Sequence, residues 1–272
     1  MSGNGIRTVV IKYGGAAMKD DALKKQVVGN VVKLCDEGIK AVIVHGGGPE
    51  ISSLSSRLGI ETKFVDGLRV TDSETLDVVL MVLAGKVNKE LVSLIGDFGK
   101  KGAGISGVDG GTLVAKMKDE RLGFVGDVVS ADPSLIRVLA ENGYIPVVST
   151  VARGDDGVIY NVNGDTAAAY IAGAVGADAL ILMTDAPGVL LDKDDPSSLV
   201  PELSARDARE MIRSGAASGG MIPKLLCCVT AARLGVPQVS VIDGKDPDAL
   251  FEAVRTGKAG TRVFRGENDD DT

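Results

Sequence analysis

Apolar residues along this chain keep two periods, and the points where one gives way to the other mark its elements. Thr8 to Met18 (TVVIKYGGAAM) begins as a β-branched run that predicts a buried strand. It meets Lys12 and then, at Gly14 and Gly15, a point where the backbone must turn and approach something closely. From Asp20 to Cys35, Leu23, Val27, Val28, Val31, Val32 and Leu34 recur at roughly helical spacing, ending at Gly38. Ala41 to Pro49 (AVIVHGGGP) repeats the design of the first strand, and a further apolar-periodic helix reaches Leu58. Strand, helix, strand, helix predicts the right-handed βαβα start of a mainly parallel sheet.

Beyond Gly67 the text reads GLRVTDSETL, in which Thr71 and Glu74 are spaced as a capping box opening an apolar helix through Val82, with a further helical run to Phe98. Thr112 to Val129 alternates and is broken around Gly110, Gly111 and Gly123, predicting a β-hairpin laid over the site. Asp132 and Pro133 open a helix over Ala131 to Asn142, and Tyr144 to Val148 is another buried strand. Asp155, Asp156 and Gly157 turn a hairpin whose return arm delivers YNVNGD into a small-residue helix, Thr166 to Val175. A strand at Ala179 to Met183 meets TDAPG, and an interrupted helix runs to Gly215. The glycine-rich SGGMIPK then opens a helix over Ile222 to Leu234, followed by a strand at Gln238 to Ile242, a helix and a last strand near Gly260 to Phe264. The whole reads as one continuous sheet with a lobe boundary around 175 to 180 and a solvated acidic tail, GENDDDT.

Composition narrows the class. With 272 residues, 44% hydrophobic and 25% charged, the chain has enough apolar material for one large α/β domain or two modest lobes. A net charge of −7 argues against non-specific hold on nucleic acid or anionic membrane and favours small-molecule partners. Three cysteines, Cys35 with the adjacent Cys227 and Cys228, offer neither a disulfide framework nor CxxC spacing, which fits a reducing compartment. Residues 1–7 are too short and polar to read as a signal peptide, and no apolar run has the length of a membrane span.

Several motifs fail on context. Gly102, Gly104 and Gly107 satisfy GxGxxG, yet an amphipathic helix precedes them and a glycine-rich hairpin follows, the reverse of a dinucleotide fingerprint. HGGG at His45 to Gly48 matches an oxyanion-hole pattern, but no GxSxG occurs and His45 is the sole histidine, so triad hydrolysis is excluded and His45 reads as a structural hydrogen-bonder at a strand end. There is no Walker A motif and no EF-hand in Asp192 to Asp195.

What remains is lysine, glycine and aspartate at element ends. Lys12 closes an apolar strand, where a buried amine is costly unless paired. Lys224 sits in the first turn of a helix, against the dipole, a placement that makes sense if it shares an anion with the helix start. Asp165, at another helix start, is equally explained by the dipole alone. Bare glycine amides and helix starts make a cradle for anionic oxygen. Phosphoryl transfer suits this inventory, since it needs positioning and positive charge more than covalent help.

VVIKYGGAAM, VIVHGGGPEI, DGLRVTD, LGFVG (Leu122 to Gly126), YNVNGDTAA, LILMTDAPGVL and GGMIPK, in this order over about Thr8 to Gly260, resemble the N-acetyl-L-glutamate kinases of the amino acid kinase family. The resemblance implies a three-layer αβα sandwich with a mainly parallel central sheet. It also implies one domain over 1–272: an N-terminal lobe (1–176) for the acyl amino acid and dimerisation, a C-terminal lobe (177–265) for ATP, and the tail at 266–272. The implied reaction is phosphorylation of the side-chain carboxylate of N-acetyl-L-glutamate by ATP, with Mg2+ carried by the nucleotide, in arginine biosynthesis and in the cytoplasm or an organelle stroma.

Carried onto this chain, Lys12 and Lys224 hold the transferring phosphoryl group and Asp165 orients both. Gly47, Gly48, Arg69 and Asn161 hold the acylated amino acid. Gly14 and Gly15, with Gly47, give amides to phosphate, while Thr184, Asp185, Gly188, Gly219, Gly220 and Met221 line the nucleotide pocket. Gly164 stands where the family often has alanine, which loosens that helix start by about 1 kcal/mol. Met1 to Arg7 is too short for the N-terminal helix that links arginine-inhibited members into hexamers, so the expectation is an arginine-insensitive homodimer. Some members from oxygenic phototrophs bind the PII signalling protein, but no residue set here marks that partner. Two other readings remain open: the same chemistry on another acceptor, such as an N-acyl or carrier-linked aminoadipate, and a nucleotide- or amino-acid-binding regulator without turnover.

Overall fold

The first strand, β1 (Thr8–Tyr13), α1 (Asp21–Asp36), β2 (Lys40–His45) and α2 (Gly48–Arg57) form the βαβα opening that the periodicity predicts. A small hairpin, β3 (Phe64–Val65) and β4 (Leu68–Arg69), leads to a long helix composed of α3 (Ser73–Leu80), a π-helical segment (Met81–Val87) and α4 (Asn88–Asp97). Then come β5 (Lys101–Ser106), β6 (Leu113–Met117), β7 (Val125–Ala131), α5 (Ser134–Glu141), β8 (Tyr144–Ser149), β9 (Val151–Arg153), β10 (Ile159–Val162) and α6 (Gly164–Val175). They are followed by β11 (Ala179–Thr184), β12 (Glu202–Ser204), α7 (Ala205–Arg213), α8 (Met221–Arg233), β13 (Gln238–Asp243), α9 (Ala249–Thr256) and β14 (Thr261–Phe264). This computed structural model describes residues 5–18, 20–192, 194–217, 219–246 and 248–266, so the predicted acidic tail lies outside the described residues apart from Gly266, as do residues 1–4.

Eight strands form the central sheet in the order β12-β14-β13-β11-β1-β2-β8-β5, and every neighbouring pair is parallel except β13 with β14. Strands covered on both faces need apolar residues at successive positions, which is why β1 and β11 read as unbroken runs. Val9, Ile11, Ile43 and Ile181 pack on one face with residues of α1, α4 and α9. Val10, Val42, Leu180 and Leu182 pack on the other with α6 and α8. Each such side chain contributes about 1.5–3 kcal/mol by leaving water. The alanines of α6, Ala167, Ala168, Ala169 and Ala172, are all buried in this second layer. The three-layer αβα expectation therefore holds.

Four expectations change in detail. The hairpin around 112–129 and the Asp155 to Gly157 hairpin do not extend the main sheet; β6, β7, β9 and β10 close into a separate small barrel. Closure brings backbones together, and a Cβ on Gly126 would lie 2.7 Å from Tyr160 Cβ and 2.9 Å from Ala115 Cβ. The GAGISG stretch is an edge strand, β5, whose glycines let α4 settle on it: a Cβ on Gly104 would be 1.9 Å from Asn88 Oδ1. Part of the supposed interrupted helix before Gly215 is the short strand β12. Finally, the cap of α3 is Asp72, which accepts from Thr75 N at 2.8 Å, because the backbone of Thr71 is engaged in a bridge to Gly123.

Candidate active site

Lys12 near the end of β1, Asp165 in the first turn of α6 and Lys224 in the first turn of α8 converge where these ends meet. Lys12 Nζ lies 2.8 Å from Asp165 Oδ1, and Lys224 Nζ lies 3.3 Å from Oδ2. Asn163 caps α6, accepting from the amides of Asp165 and Thr166 at 2.9 and 3.0 Å, and so fixes the start of the helix that presents the carboxylate. Asp165 is only 5% exposed. Burial pushes its carboxyl up, but Lys12 and then Lys224 pull harder, and the group is held below the ordinary carboxylate range. Behind it, Cys227 Sγ donates to the Asp165 carbonyl at 3.0 Å, tying α8 to α6; burial raises that thiol well above its usual value.

Glycine surrounds the Lys12 ammonium. A Cβ on Gly14 would sit 3.2 Å from its Nζ, and one on Gly164 would sit 3.3 Å from its Cε. Gly15 turns the chain at φ 78°, beside Asp185. Gly47 is extended at φ 172° and caps α2, and a Cβ there would strike Leu83 Cδ2 at 2.8 Å.

Arg69 reaches the same place by hairpin geometry. Asp66 and Gly67 both take positive φ, 51° and 77°, as a two-residue type I′ turn requires, and pair Phe64 with Arg69 across β3 and β4. The guanidinium lies 5.0 Å from the Phe64 ring centroid and donates to Gly48 O at 2.9 Å and Ser52 Oγ at 2.8 Å. These acceptors are uncharged, so its positive charge is not neutralised by them; burial lowers its pKa from the ordinary value. Asn161 donates to Thr71 Oγ1 at 3.2 Å. Gly47, Gly48, Arg69 and Asn161 line one cavity of about 230 Å³, with Val125, Thr150 and Gly164. Val125 belongs to the predicted hairpin, which docks through Phe124 N to Thr71 O at 2.7 Å and contributes to the lining of this cavity.

A second cavity of about 430 Å³ is lined by Gly188 and Met221 with Leu190, Met211 and Ala217. Thr184 and Asp185 stand at the end of β11, and Gly219 and Gly220 just before α8, outside that lining. Gly188 also has a packing reason, since a Cβ there would fall 2.6 Å from Leu199 Cδ1.

His45 is fully buried, as the structural reading expects: Nδ1 faces Gly46 O at 3.0 Å and Nε2 faces Asn88 Nδ2 at 3.2 Å. Burial lowers its pKa to about 4. Sequence reasoning missed Asn163, Val125 and Asn88. Asn163 had a readable signal, a good N-cap residue just before a helix, and Asp66-Gly67 was a readable turn; Asn88 had none.

The sequence profile of the amino acid kinase family matches residues 7–243. Among curated proteins, the acetylglutamate kinase of Nostoc sp. (strain PCC 7120 / SAG 25.82 / UTEX 2576) is 52% identical over 92% of this chain and 84% of its own. That of Heliobacterium modesticaldum is 49% identical over 95% and 92%, and the chloroplastic acetylglutamate kinase of Arabidopsis thaliana is 46% identical over 94% and 75%. Among solved structures, smu.665 from Streptococcus mutans UA159 superposes with a TM-score of 0.80 at 27% identity, covering 96% of this chain and 99% of that one. The N-acetylglutamate synthase of Neisseria gonorrhoeae in complex with coenzyme A and N-acetyl-glutamate superposes with a TM-score of 0.81 at 22% identity, over 96% of this chain and 60% of that one, which speaks to the fold alone. With its αβα fold and its lysine, aspartate and glycine constellation, the chain belongs to the amino acid kinase family.

Proposed function

We propose that this chain is an acetylglutamate kinase, transferring the γ-phosphoryl group of ATP to the side-chain carboxylate of N-acetyl-L-glutamate to give an acyl phosphate and ADP in arginine biosynthesis. The observation that carries the reading is the Lys12, Asp165 and Lys224 ion cluster beside the cavity that gathers Gly47, Gly48, Arg69 and Asn161, in a chain about half identical to acetylglutamate kinases. The cavity, about 230 Å³, is smaller than the roughly 300–1,000 Å³ that takes drug-sized ligands and suits an acylated amino acid. The apolar second cavity suits a nucleobase.

The acceptor carboxylate, with an ordinary pKa of about 4.3, is ionised at neutral pH and needs no base. One of its oxygens attacks the γ-phosphorus; the bond from that phosphorus to the bridging oxygen breaks, and ADP leaves with the electron pair. Lys12 and Lys224 offer positive charge to the oxygens of the transferring group from two sides. Asp165, committed to both lysines, orients them and is not a base. Arg69 offers a planar fork to a carboxylate of the acyl amino acid. Among the described residues no group of three or more His, Cys, Asp or Glu could hold a metal. Mg2+ would be carried by the nucleotide, held mainly by phosphate oxygens and water, and when bound would add positive charge there.

The finer proposals are the two lobes, 1–176 and 177–265, joined in one continuous sheet between β1 and β11, and a homodimer working in the cytoplasm or, as for the chloroplastic relative, a stroma. No helix among the described residues is long and apolar enough to cross a membrane. The test of function is a hydroxamate trap with MgATP and, in separate reactions, N-acetylglutamate, glutamate, aspartate or N-acetyl-aminoadipate. Product with N-acetylglutamate alone is expected. Product only with another acceptor overturns the substrate, and none with any acceptor overturns the activity.

A further inference from the structure

Three successive glycines, Gly46 to Gly48, carry the chain from the end of β2 into the first residue of α2, and a Cβ on Gly46 or Gly48 would meet nothing within 4 Å. Side-chain packing therefore cannot hold the peptide planes at these two positions. The carbonyls hold them instead. Gly48 O accepts from Arg69 at 2.9 Å, Gly47 O accepts from Ile51 N at 2.9 Å, and Gly46 O meets His45 Nδ1 at 3.0 Å. A carbonyl can only accept, so Nδ1 carries the ring proton. The other ring nitrogen then accepts, and Asn88 Nδ2 supplies its donor at 3.2 Å.

Asn88 has its orientation fixed independently of the histidine. Its two Nδ2 hydrogens are shared among three acceptors, Val147 O at 2.9 Å and, both at 3.2 Å, Ile105 O and His45 Nε2, while its Oδ1 accepts from Lys89 Nζ at 3.0 Å, so the amide cannot be turned round without placing oxygen against oxygen. The π-helical segment just before it sets Leu83 against Gly47 and brings Asn88 under β2 and β8. In a trans peptide the carbonyl and the next N–H point opposite ways. Holding Gly46 O back toward the histidine thus aims the N–H of Gly47 away from it. The amides of Gly47 and Gly48 have no acceptor among the described residues.

We propose that His45, locked in its Nδ1–H tautomer by Asn88, is a positioning residue for the reaction: by holding the Gly46 carbonyl it aims the Gly47 amide at the transferring phosphoryl group. This rests on the acetylglutamate kinase reading, in which that amide is a phosphoryl donor. It differs from a packing role because it needs a donor at one particular edge of the ring.

The two amide replacements separate the edges, since an asparagine amide stands close to where Nδ1 does and a glutamine amide close to Nε2. His45→Gln keeps a partner for Asn88 and loses the donor to Gly46 O; kcat is expected to fall about tenfold or more, with KM for N-acetylglutamate changing less than about threefold. His45→Asn keeps the donor and is expected to recover most of that loss, although both variants lose the ring. Thermal melts give the folded fraction by which each kcat is normalised. Equal normalised losses, or a loss greater in His45→Asn, overturn the proposal. Should His45→Gln not fold, 15N NMR of the wild-type chain decides, because its single histidine gives one unambiguous ring. A neutral ring protonated on Nδ1 at pH 7 supports the lock, and an Nε2–H ring overturns it. If wild type yields no acyl phosphate in the same assay, the function reading has failed, while the tautomer measurement still reports on the lock.

Discussion

Lys12→Met removes one charge from the site while keeping most of the side chain's length and bulk. In wild type the lysine sits 2.8 Å from Asp165, with its side chain 12% exposed, so it is held beside the glycine cradle and not in bulk water. Two unit charges about 4 Å apart at an effective dielectric of about 20 interact by about 4 kcal/mol. The γ-phosphate of ATP is already charged before transfer, so only the part of that attraction gained at the transition state appears in kcat. Taking that part as about 3 kcal/mol gives a fall in kcat of about a hundredfold, with KM for each substrate moving less than about threefold. Lys224 is farther from the carboxylate, at 3.3 Å, and somewhat more exposed, so Lys224→Met should show the same pattern at similar or smaller size. Initial rates from the hydroxamate trap, with each substrate varied in turn, separate the two parameters. If KM for ATP rises and kcat persists in both variants, the lysines bind the ground state, and the charge-stabilisation argument fails.

Arg69→Lys loses the planar fork and the bonds to Gly48 O and Ser52 Oγ; KM for N-acetylglutamate should rise about tenfold while that for ATP stays within twofold, and an equal rise in both would refute the assignment. Gly104→Ala drives a Cβ into Asn88 Oδ1, 1.9 Å away, so urea melts should show a loss of about 2 kcal/mol or more; an unchanged midpoint would mean that α4 gives way freely. For His45, burial holds the folded-state pKa at about 4 against an ordinary 6.5, so between these pH values the unfolded chain binds a proton that the folded chain refuses. Its stability contribution is therefore intact above about pH 6.5 and lost as pH falls toward 4, by about 3 kcal/mol in total. Urea melts at pH 7 and 4.5 should show a smaller acid loss in His45→Asn than in wild type, and equal losses would contradict a buried neutral ring.

Much of the fold was legible because its central strands are covered on both faces, and β1, β2 and β11 consequently read as apolar runs that no surface element tolerates. What was illegible had causes elsewhere in the chain. β5, with its glycines at 102 and 104, has poor strand propensity, and the reason for them is α4: Ile95 lies 3.2 Å from where a Cβ on Gly102 would be. Alternation in β6 and β7 signalled a hairpin but not which strands would close the barrel, since period two fixes faces and not partners. The π-helical segment has no local signature in this sequence, and its consequence, the placement of Leu83 and Asn88, is read only at β2.

The site divides in the same way, between residues that contradict their local setting and residues that agree with it. Lys12 was visible because a lysine closing an apolar strand is costly by itself, and Lys224 because a cation in a first helical turn opposes the dipole. Asp165 was not decidable, since a carboxylate suits any helix N-terminus. Its function becomes apparent only from its neighbours. At 5% exposure between two ammonium groups it remains charged, so each lysine keeps a fixed partner from which to lean toward an anion. The cost of holding three charges in a largely buried place is offset only while all three are present, because removing one partner from such a set costs about 3–5 kcal/mol. A sequence can thus advertise the two members of the cluster that are unfavourable alone, while the member that makes them tolerable looks ordinary until the chain is folded.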